Sequence, residues 1–382
     1  MARQYNRSVP EVLLGCLSPQ EFLRRHWQKK PLLVRRALPG FRGVIGKDAL
    51  FALAARTDVE SRLVQRSGRI SGGGWRVTQG PVPRARLARA GTGGWTLLVN
   101  GVNHHCAAAE NLLRRFAFVP QARLDDLMVS YAARGGGVGP HFDSYDVFLV
   151  QGPGRRIWRL ARARRFAQIP DAPLRLIAGF RAEEEFLLES GDLLYLPPGW
   201  GHDGVALDPG FTCSVGFRAP GGAELAAAFL DHLHQRGLRD ATYRDPGLRP
   251  AGRAARIGGD MIAFAEQQLR RIRWKRADVE DFLGRFLSTP KPHVVFARVR
   301  ENRNRNLEKL QVILDPKTHM LYRGSRFFIN GESFVPRRGQ RAALAALADR
   351  RRIAGRRLAR AGLGGLIFDW VRSGFLHLER TA

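Results

Sequence analysis

The sequence predicts an α+β protein centred on a β sandwich or barrel, with helices before it and a helical stretch and a small basic α/β domain after it. Three observations carry this. Between about residues 95 and 218 the chain breaks into short β-rich runs separated by Gly/Pro turns, the pattern of a sandwich or a closed barrel such as the jelly roll. From Ala223 to Leu287 apolar residues recur at helical spacing. After Ser288-Thr-Pro-Lys-Pro292, strand-like and helical runs return under a strong positive charge.

Residues 11 to 60 read as helices and turns. Ser18-Pro19-Gln20-Glu21 supplies an N-cap, a proline at the first helical position and an acid in the first turn. Phe22, Leu23 and Trp27 follow at helical spacing, Lys30-Pro31 breaks the pattern, and Leu32–Val34 reads as a short strand. The β-rich runs are Trp95–Val99, Leu127–Tyr131, Val147–Val150, Ile157–Leu160, Glu185–Leu188, Asp192–Leu196 and Phe211–Phe217. Leu225, Phe229 and Leu233 make Ala223–Gln235 an amphipathic helix, and two helical patterns run from Ile262 to Leu287. The last segment has strand-like runs at Val294–Val299, Leu310–Leu314 and Arg326–Ile329, a hairpin turn at Asn330-Gly331, and helices over 340–360 and 362–372. These strands, the hairpin and two helices suggest a winged-helix shape.

The chain has 382 residues, 44% hydrophobic and 25% charged, which argues against a disordered or collagen-like protein. Its 63 basic and 34 acidic residues leave a net charge of +29, pointing to a polyanionic partner, nucleic acid first. Compositional bias is the competing source, since only seven of those bases are lysine. Residues 291–382 hold 20 basic and 7 acidic residues, a net of +13. Over 350–360 there is no Asn, Gln, Ser or Thr to read base edges, so the expected contact is sequence-independent. Three cysteines without a C-x-x-C pair exclude a disulfide framework and a zinc ribbon and fit a reducing, cytoplasmic setting. No secretory signal core is read at the N-terminus, and no run approaches the ~20 apolar residues that cross a bilayer.

Chemistry concentrates in His141-Phe142-Asp143 and, 61 residues later, His202. On an extended strand, residues i and i+2 share a face, so His141 and Asp143 can converge on one point. Gly191-Asp-Leu-Leu-Tyr-Leu-Pro-Pro-Gly-Trp-Gly-His202 is a strand and a tight turn that aim His202 back across the barrel mouth. Two histidines and one carboxylate form the facial triad that leaves open positions on non-haem Fe(II). Arg156 shares a strand face with Trp158 and Leu160, which favours an inward guanidinium able to hold a carboxylate. His104-His105-Cys106 lacks a second ligand pair at zinc spacing and reads as a loop or pocket rim. The glycine runs at 72 and 135 lack the Gly-Lys-Ser/Thr ending of a phosphate loop, and no G-x-S-x-G elbow occurs.

The string from Gly139 to Arg156, Gly-Pro-His-Phe-Asp-Ser-Tyr-Asp-Val-Phe-Leu-Val-Gln-Gly-Pro-Gly-Arg-Arg, resembles the bacterial ribosomal oxygenases. So do Gly-Asp-Leu-Leu-Tyr-Leu-Pro-Pro-Gly-x-x-His202 and Ser214-Val-Gly-Phe-Arg-Ala-Pro220. The resemblance implies a JmjC-type, cupin-fold double-stranded β-helix over 1–220, a helical dimerisation region over 221–289 and a winged-helix-like domain over 290–382. It implies an Fe(II)-, 2-oxoglutarate- and dioxygen-dependent hydroxylase acting on an arginine of large-subunit ribosomal protein sixteen. Eukaryotic relatives hydroxylate ribosomal histidines. By position, His141, Asp143 and His202 would ligate iron, and Arg156 would anchor 2-oxoglutarate. The hydroxyl that usually assists the anchor is Ala132 here, which leaves Ser130 or another group to substitute. Asp126 and Met128 alternate onto the Ser130 face, and with Tyr145, Ser214 and Phe217 they would line the target-arginine pocket. Two other readings stay open: a ligand-sensing barrel coupled to a DNA-binding winged helix, and a related histidine hydroxylase.

Overall fold

The computed structural model describes residues 13–66, 74–162, 167–237, 241–250, 252–300 and 306–380. The N-terminal residues, the first glycines of the run at 72, Arg303 and Arg305 lie outside them.

Helix α1 (Pro19–Arg25) starts at the expected box: the Ser18 hydroxyl accepts from the Glu21 amide at 3.2 Å, and the Glu21 carboxylate accepts from the Ser18 amide at 3.0 Å. Then follow β1 (Leu32–Val34), α2 (Lys47–Ala54), β2 (Ser61–Arg66), β3 (Trp75–Gln79), α3 (Arg84–Ala88), β4 (Trp95–Val99) and α4 (Ala107–Arg114). The central strands are β5 (Leu124–Ala132), β6 (Val147–Gln151), β7 (Arg156–Arg162), β8 (Glu184–Leu188), β9 (Leu193–Leu196), β10 (Trp200–Ala206) and β11 (Gly210–Phe217). They form two sheets, a large one in the order β1-β9-β6-β11-β5-β4-β2-β3 and a small one in the order β10-β7-β8.

Strand alternation sorts the side chains. Leu97, Val99, Phe148, Tyr195 and Val215 turn outward onto Phe22, Leu50, Leu112 and Leu113 of the covering helices. Val147, Leu149, Leu194 and Leu196 turn inward and pack against Trp158, Leu160 and Leu188 of the small sheet. This is the expected double-stranded β-helix. The sequence reading missed β2, β3 and β10. Strand β10 reads Trp-Gly-His-Asp-Gly-Val-Ala, and its glycines mask a strand. They are there for space, because a Cβ on Gly204 would lie 2.7 Å from the Trp158 ring.

Beyond the barrel come α5 (Gly222–Gln235), α6 (Gly259–Arg270) and α7 (Arg276–Ser288), as the periodicity predicts. The C-terminal part holds β12 (Leu310–Leu314), β13 (Met320–Arg323), β14 (Arg326–Ile329), β15 (Glu332–Phe334), α8 (Arg341–Arg350), β16 (Arg352–Ala354), α9 (Gly355–Arg360), α10 (Gly364–Arg372) and β17 (Leu376–Arg380). Asn330 and Gly331 turn the β14–β15 hairpin with φ of 49° and 90°, the signature of a type I′ turn. Two expectations are corrected here. Val294–Val299 forms no strand and runs without a ladder partner. The single helix over 340–360 is broken at Arg351, whose φ is 59°. There the buried guanidinium donates to the carbonyls of Thr318 and Asp315 at 2.9 and 2.7 Å, and the chain turns into β16.

The C-terminal domain docks on the barrel through β5 and α4. Arg351 lies 3.4 Å from Glu110 of α4, and Gln121 donates to the carbonyls of Ala348 and Asp349. From the linker, Lys291 reaches Asp125 and Asp126 at 2.9 and 3.1 Å.

A buried acid anchors the metal-loop exit. Asp146 accepts from the Tyr195 hydroxyl at 2.6 Å, the Gln28 amide at 3.0 Å and Arg123 at 3.4 Å. Removing it strands buried donors, so Asp146→Ala should cost roughly 2–4 kcal/mol. Urea unfolding checks this, and an unchanged midpoint would show the hub to be dispensable.

Candidate active site

His141 follows the glycine run after β5, and His202 is the third residue of β10. The two residues exchange backbone hydrogen bonds, His141 N–H to His202 at 2.9 Å and His202 N–H to His141 at 2.7 Å. This antiparallel bridge sets the rings 4.2 Å apart between centroids. The Asp143 carbonyl accepts from the Gly199 amide at 2.8 Å, which pins the loop to the Pro-Pro-Gly turn. His202 Nε2 then lies 3.7 Å from the Asp143 carboxylate, and one ligand atom from each of the three residues lies within 4.8 Å of the others.

Both histidines are prepared as ligands. Each Nδ1 faces a carbonyl, Gly139 at 2.9 Å for His141 and Trp200 at 3.0 Å for His202, so each Nδ1 must donate and each Nε2 keeps a lone pair. Burial, aided by the neighbouring His141, pulls His202 down to about 4, so its imidazole is neutral at physiological pH. Two imidazoles and a carboxylate suit a divalent first-row metal with open positions.

Arg156 lies on β7 opposite Ala206 of β10, with its side chain in the barrel and 6% exposed. Its Cζ sits 5.6 Å from the Trp158 ring centroid, and that ring lies 5.8 Å from His202. Burial lowers its affinity for the proton to a pKa of about 10, and it remains a cation at neutral pH. Its Nη2 atom is buried without a hydrogen-bond partner among the described residues, as are Thr96 Oγ1 and Trp158 Nε1. A buried guanidinium nitrogen left open is costly unless an anionic ligand completes it, so this pocket fits a carboxylate. Ser130, also buried in the barrel, reaches only the Thr212 carbonyl, at 3.5 Å.

Met128 and Ser214 are cross-strand partners on the inner face, and the Tyr145 phenol stands near the Asp143 carboxylate. Burial and that carboxylate push the Tyr145 phenol well above its ordinary range. Asp126 shares this inner face, and its charge is met within the chain. Its carboxylate accepts from the Gly101 amide and from Lys291, each at 3.1 Å. Burial raises its pKa, and Lys291 opposes that rise. Lys291 lies 165 residues away in sequence, and no local pattern could have found it. Phe217 is the correction: it is fully buried on the outer face, 5.0 Å from Trp27 and 5.8 Å from Phe148. Alternation along β11 puts Phe217 on the outer face with Cys213 and Val215, opposite the face of Ser214. His104 and His105 line a small cavity at the seam with the C-terminal domain, beside Glu60 and His293.

Comparison with known proteins agrees with this architecture. The family model described as JmjC domain matches residues 111–225, and that described as ROXA-like winged helix matches 271–377. The chain is 39% identical over 270 residues to the ribosomal protein uL16 3-hydroxylase of Escherichia coli, covering 70% of each chain. It is 37% identical over 217 residues to a probable ribosomal oxygenase of Haemophilus influenzae, covering 56% of this chain and 52% of that one. The solved Escherichia coli ribosomal oxygenase YcfD with cobalt and 2-oxoglutarate superposes with a TM-score of 0.78 at 32% identity, covering 95% of this chain and 98% of that one. The same protein with cobalt and succinic acid gives 0.75 at 31% identity, with the same coverage. This chain belongs to the JmjC-domain ribosomal oxygenases and carries their 2-oxoglutarate-dependent oxygenase fold.

Proposed function

We propose that this protein hydroxylates an arginine side chain of the large-subunit ribosomal protein uL16, with Fe(II), dioxygen and 2-oxoglutarate, releasing succinate and CO2. The observation that carries the reading is the pairing of a two-histidine, one-carboxylate cluster with a buried, incompletely bonded arginine in one barrel. The relative's name supplies the substrate. His141, Asp143 and His202 would hold the iron, which supplies the redox chemistry that couples 2-oxoglutarate decarboxylation to hydroxylation. Arg156 holds the distal carboxylate and so fixes the depth of the co-substrate. Asp126 and Ser214 offer acceptors to the target guanidinium, and Met128 and the Tyr145 ring offer it an apolar wall.

Residues 1–220 form the catalytic unit in this reading, 221–289 the dimerisation region and 290–382 the basic domain. Helix α6 buries no residue, and Met261, Ile262, Leu269 and Trp274 stand exposed around it, which supports a homodimer through the helical region. Helix α9 reads Gly-Arg-Arg-Leu-Ala-Arg and offers charge without base-reading side chains, which supports sequence-independent contact with ribosomal nucleic acid. No helix of the described residues is long and apolar enough to cross a membrane, and a cytoplasmic setting fits a ribosomal substrate.

Mass spectrometry of uL16 incubated with the enzyme, iron and 2-oxoglutarate should show one arginine heavier by one oxygen atom. His141→Ala and Asp143→Ala should abolish both that product and succinate while the protein stays folded; full turnover by either variant overturns the assignment. Arg156→Lys keeps the charge but loses the fork, so the KM for 2-oxoglutarate should rise about tenfold or more. An unchanged KM would place Arg156 outside the co-substrate site. Sedimentation of the native chain, alone and with mixed-sequence RNA over a salt series, should show a dimer whose RNA binding weakens steeply with salt. A monomer at micromolar concentration removes the first claim, and salt-resistant binding removes the second.

A further inference from the structure

We propose that the Thr96 hydroxyl is the second protein donor to the distal carboxylate of the co-substrate, supplying beside Arg156 what Ala132 lacks. The inference rests on the 2-oxoglutarate reading above. Thr96 is 1% exposed, and its Oγ1 has no hydrogen-bond partner among the described residues. Buried hydroxyls are rarely left so, because the lost hydration is not recovered.

Its direction follows from β4. Trp95, Leu97 and Val99 pack into the outer core, so Thr96, between them, faces the barrel interior. Thr96 is the direct cross-strand partner of Ala132, and such partners hold their Cβ atoms side by side on one face. A hydroxyl on Thr96 therefore enters the space that a hydroxyl on residue 132 would have used.

Backbone contacts carry this position to the Arg156 end of the barrel. Just beyond Ala132, the Ala133 amide bonds the Trp95 carbonyl at 3.0 Å, next to Thr96. The following turn bonds Ala206 in both directions, Gly135 N–H to Ala206 at 2.7 Å and Ala206 N–H to Gly136 at 2.9 Å. Ala206 is the register partner of Arg156. The turn also needs Gly136, since a Cβ there would lie 2.2 Å from the Trp95 carbonyl oxygen. At this end, Thr96 Oγ1, Arg156 Nη2 and Trp158 Nε1 are all buried and without a partner among the described residues. An ionised carboxylate has acceptor sites enough for donors from more than one side.

Calorimetric titration of 2-oxoglutarate into the full-length, Mn(II)-loaded protein under anaerobic conditions reads affinity without turnover. Thr96→Val should weaken binding about tenfold or more. Thr96→Ser should stay near the parent, and ligand-free Thr96→Val should melt at or above the parent temperature because it sheds an unpaired hydroxyl. Unchanged affinity in Thr96→Val, equal weakening in both variants, or a lower melting temperature of the ligand-free valine variant would each overturn the inference. Arg156→Met separates it from the underlying reading. If that variant loses binding while Thr96→Val does not, only the Thr96 role fails; if the parent binds no 2-oxoglutarate, the co-substrate reading itself fails.

Discussion

The backbone bridge between His141 and His202 joins the loop after β5 to β10, the edge strand of the small sheet, and the two-histidine, one-carboxylate cluster depends on it. Hydrogen bonds of 2.9 and 2.7 Å fix both Cα positions before any side chain is placed. The carbonyls of Gly139 and Trp200 then orient the rings. Orientation by main chain leaves little rotamer freedom, so the cluster is preorganised rather than gathered by the ion. Small residues make the approach possible. A Cβ on Gly137 would lie 2.6 Å from the Gly204 carbonyl oxygen, and one on Gly204 would meet Trp158.

Within this frame the barrel treats its buried charges differently. Asp146 is completed by three side-chain donors and belongs to the outer layer. Asp126 is held through one oxygen by a backbone amide and Lys291 on the inner face. Arg156 alone of these keeps an unpaired nitrogen at the closed end. Burial leaves that nitrogen open, which is why the 2-oxoglutarate site is proposed there.

The C-terminal domain is tied to this chemistry through the same strand that lines the pocket. Arg218, just past β11, bonds Asp125 at 3.3 Å and the Leu287 carbonyl at 2.7 Å, while Lys291 spans Asp125 and Asp126. The end of α7 and the linker are thereby held against β5.

Much of the site was legible in the sequence because its parts are local. H-x-D on an extended segment, a Pro-Pro-Gly turn before a histidine, and an arginine alternating with Trp and Leu each state their geometry within a few residues. The strands between Trp95 and Phe217 and the helices after Gly222 were legible for the same reason, since periodicity is a short-range property. Tertiary structure decided the rest. Gly-rich β10 is a strand because Trp158 needs its space, and Arg351 breaks a helix because buried carbonyls of Thr318 and Asp315 await its guanidinium. Packing of the covering helix against Cys213, Val215 and Phe217 made Phe217 core rather than pocket. The partner of Asp126 and the unpaired Thr96 are facts about which distant segments meet, or fail to meet, in space. By itself, the sequence determined the chemical vocabulary and the elements that carry it; burial and cross-strand register decided which polar groups are satisfied internally and which await a ligand.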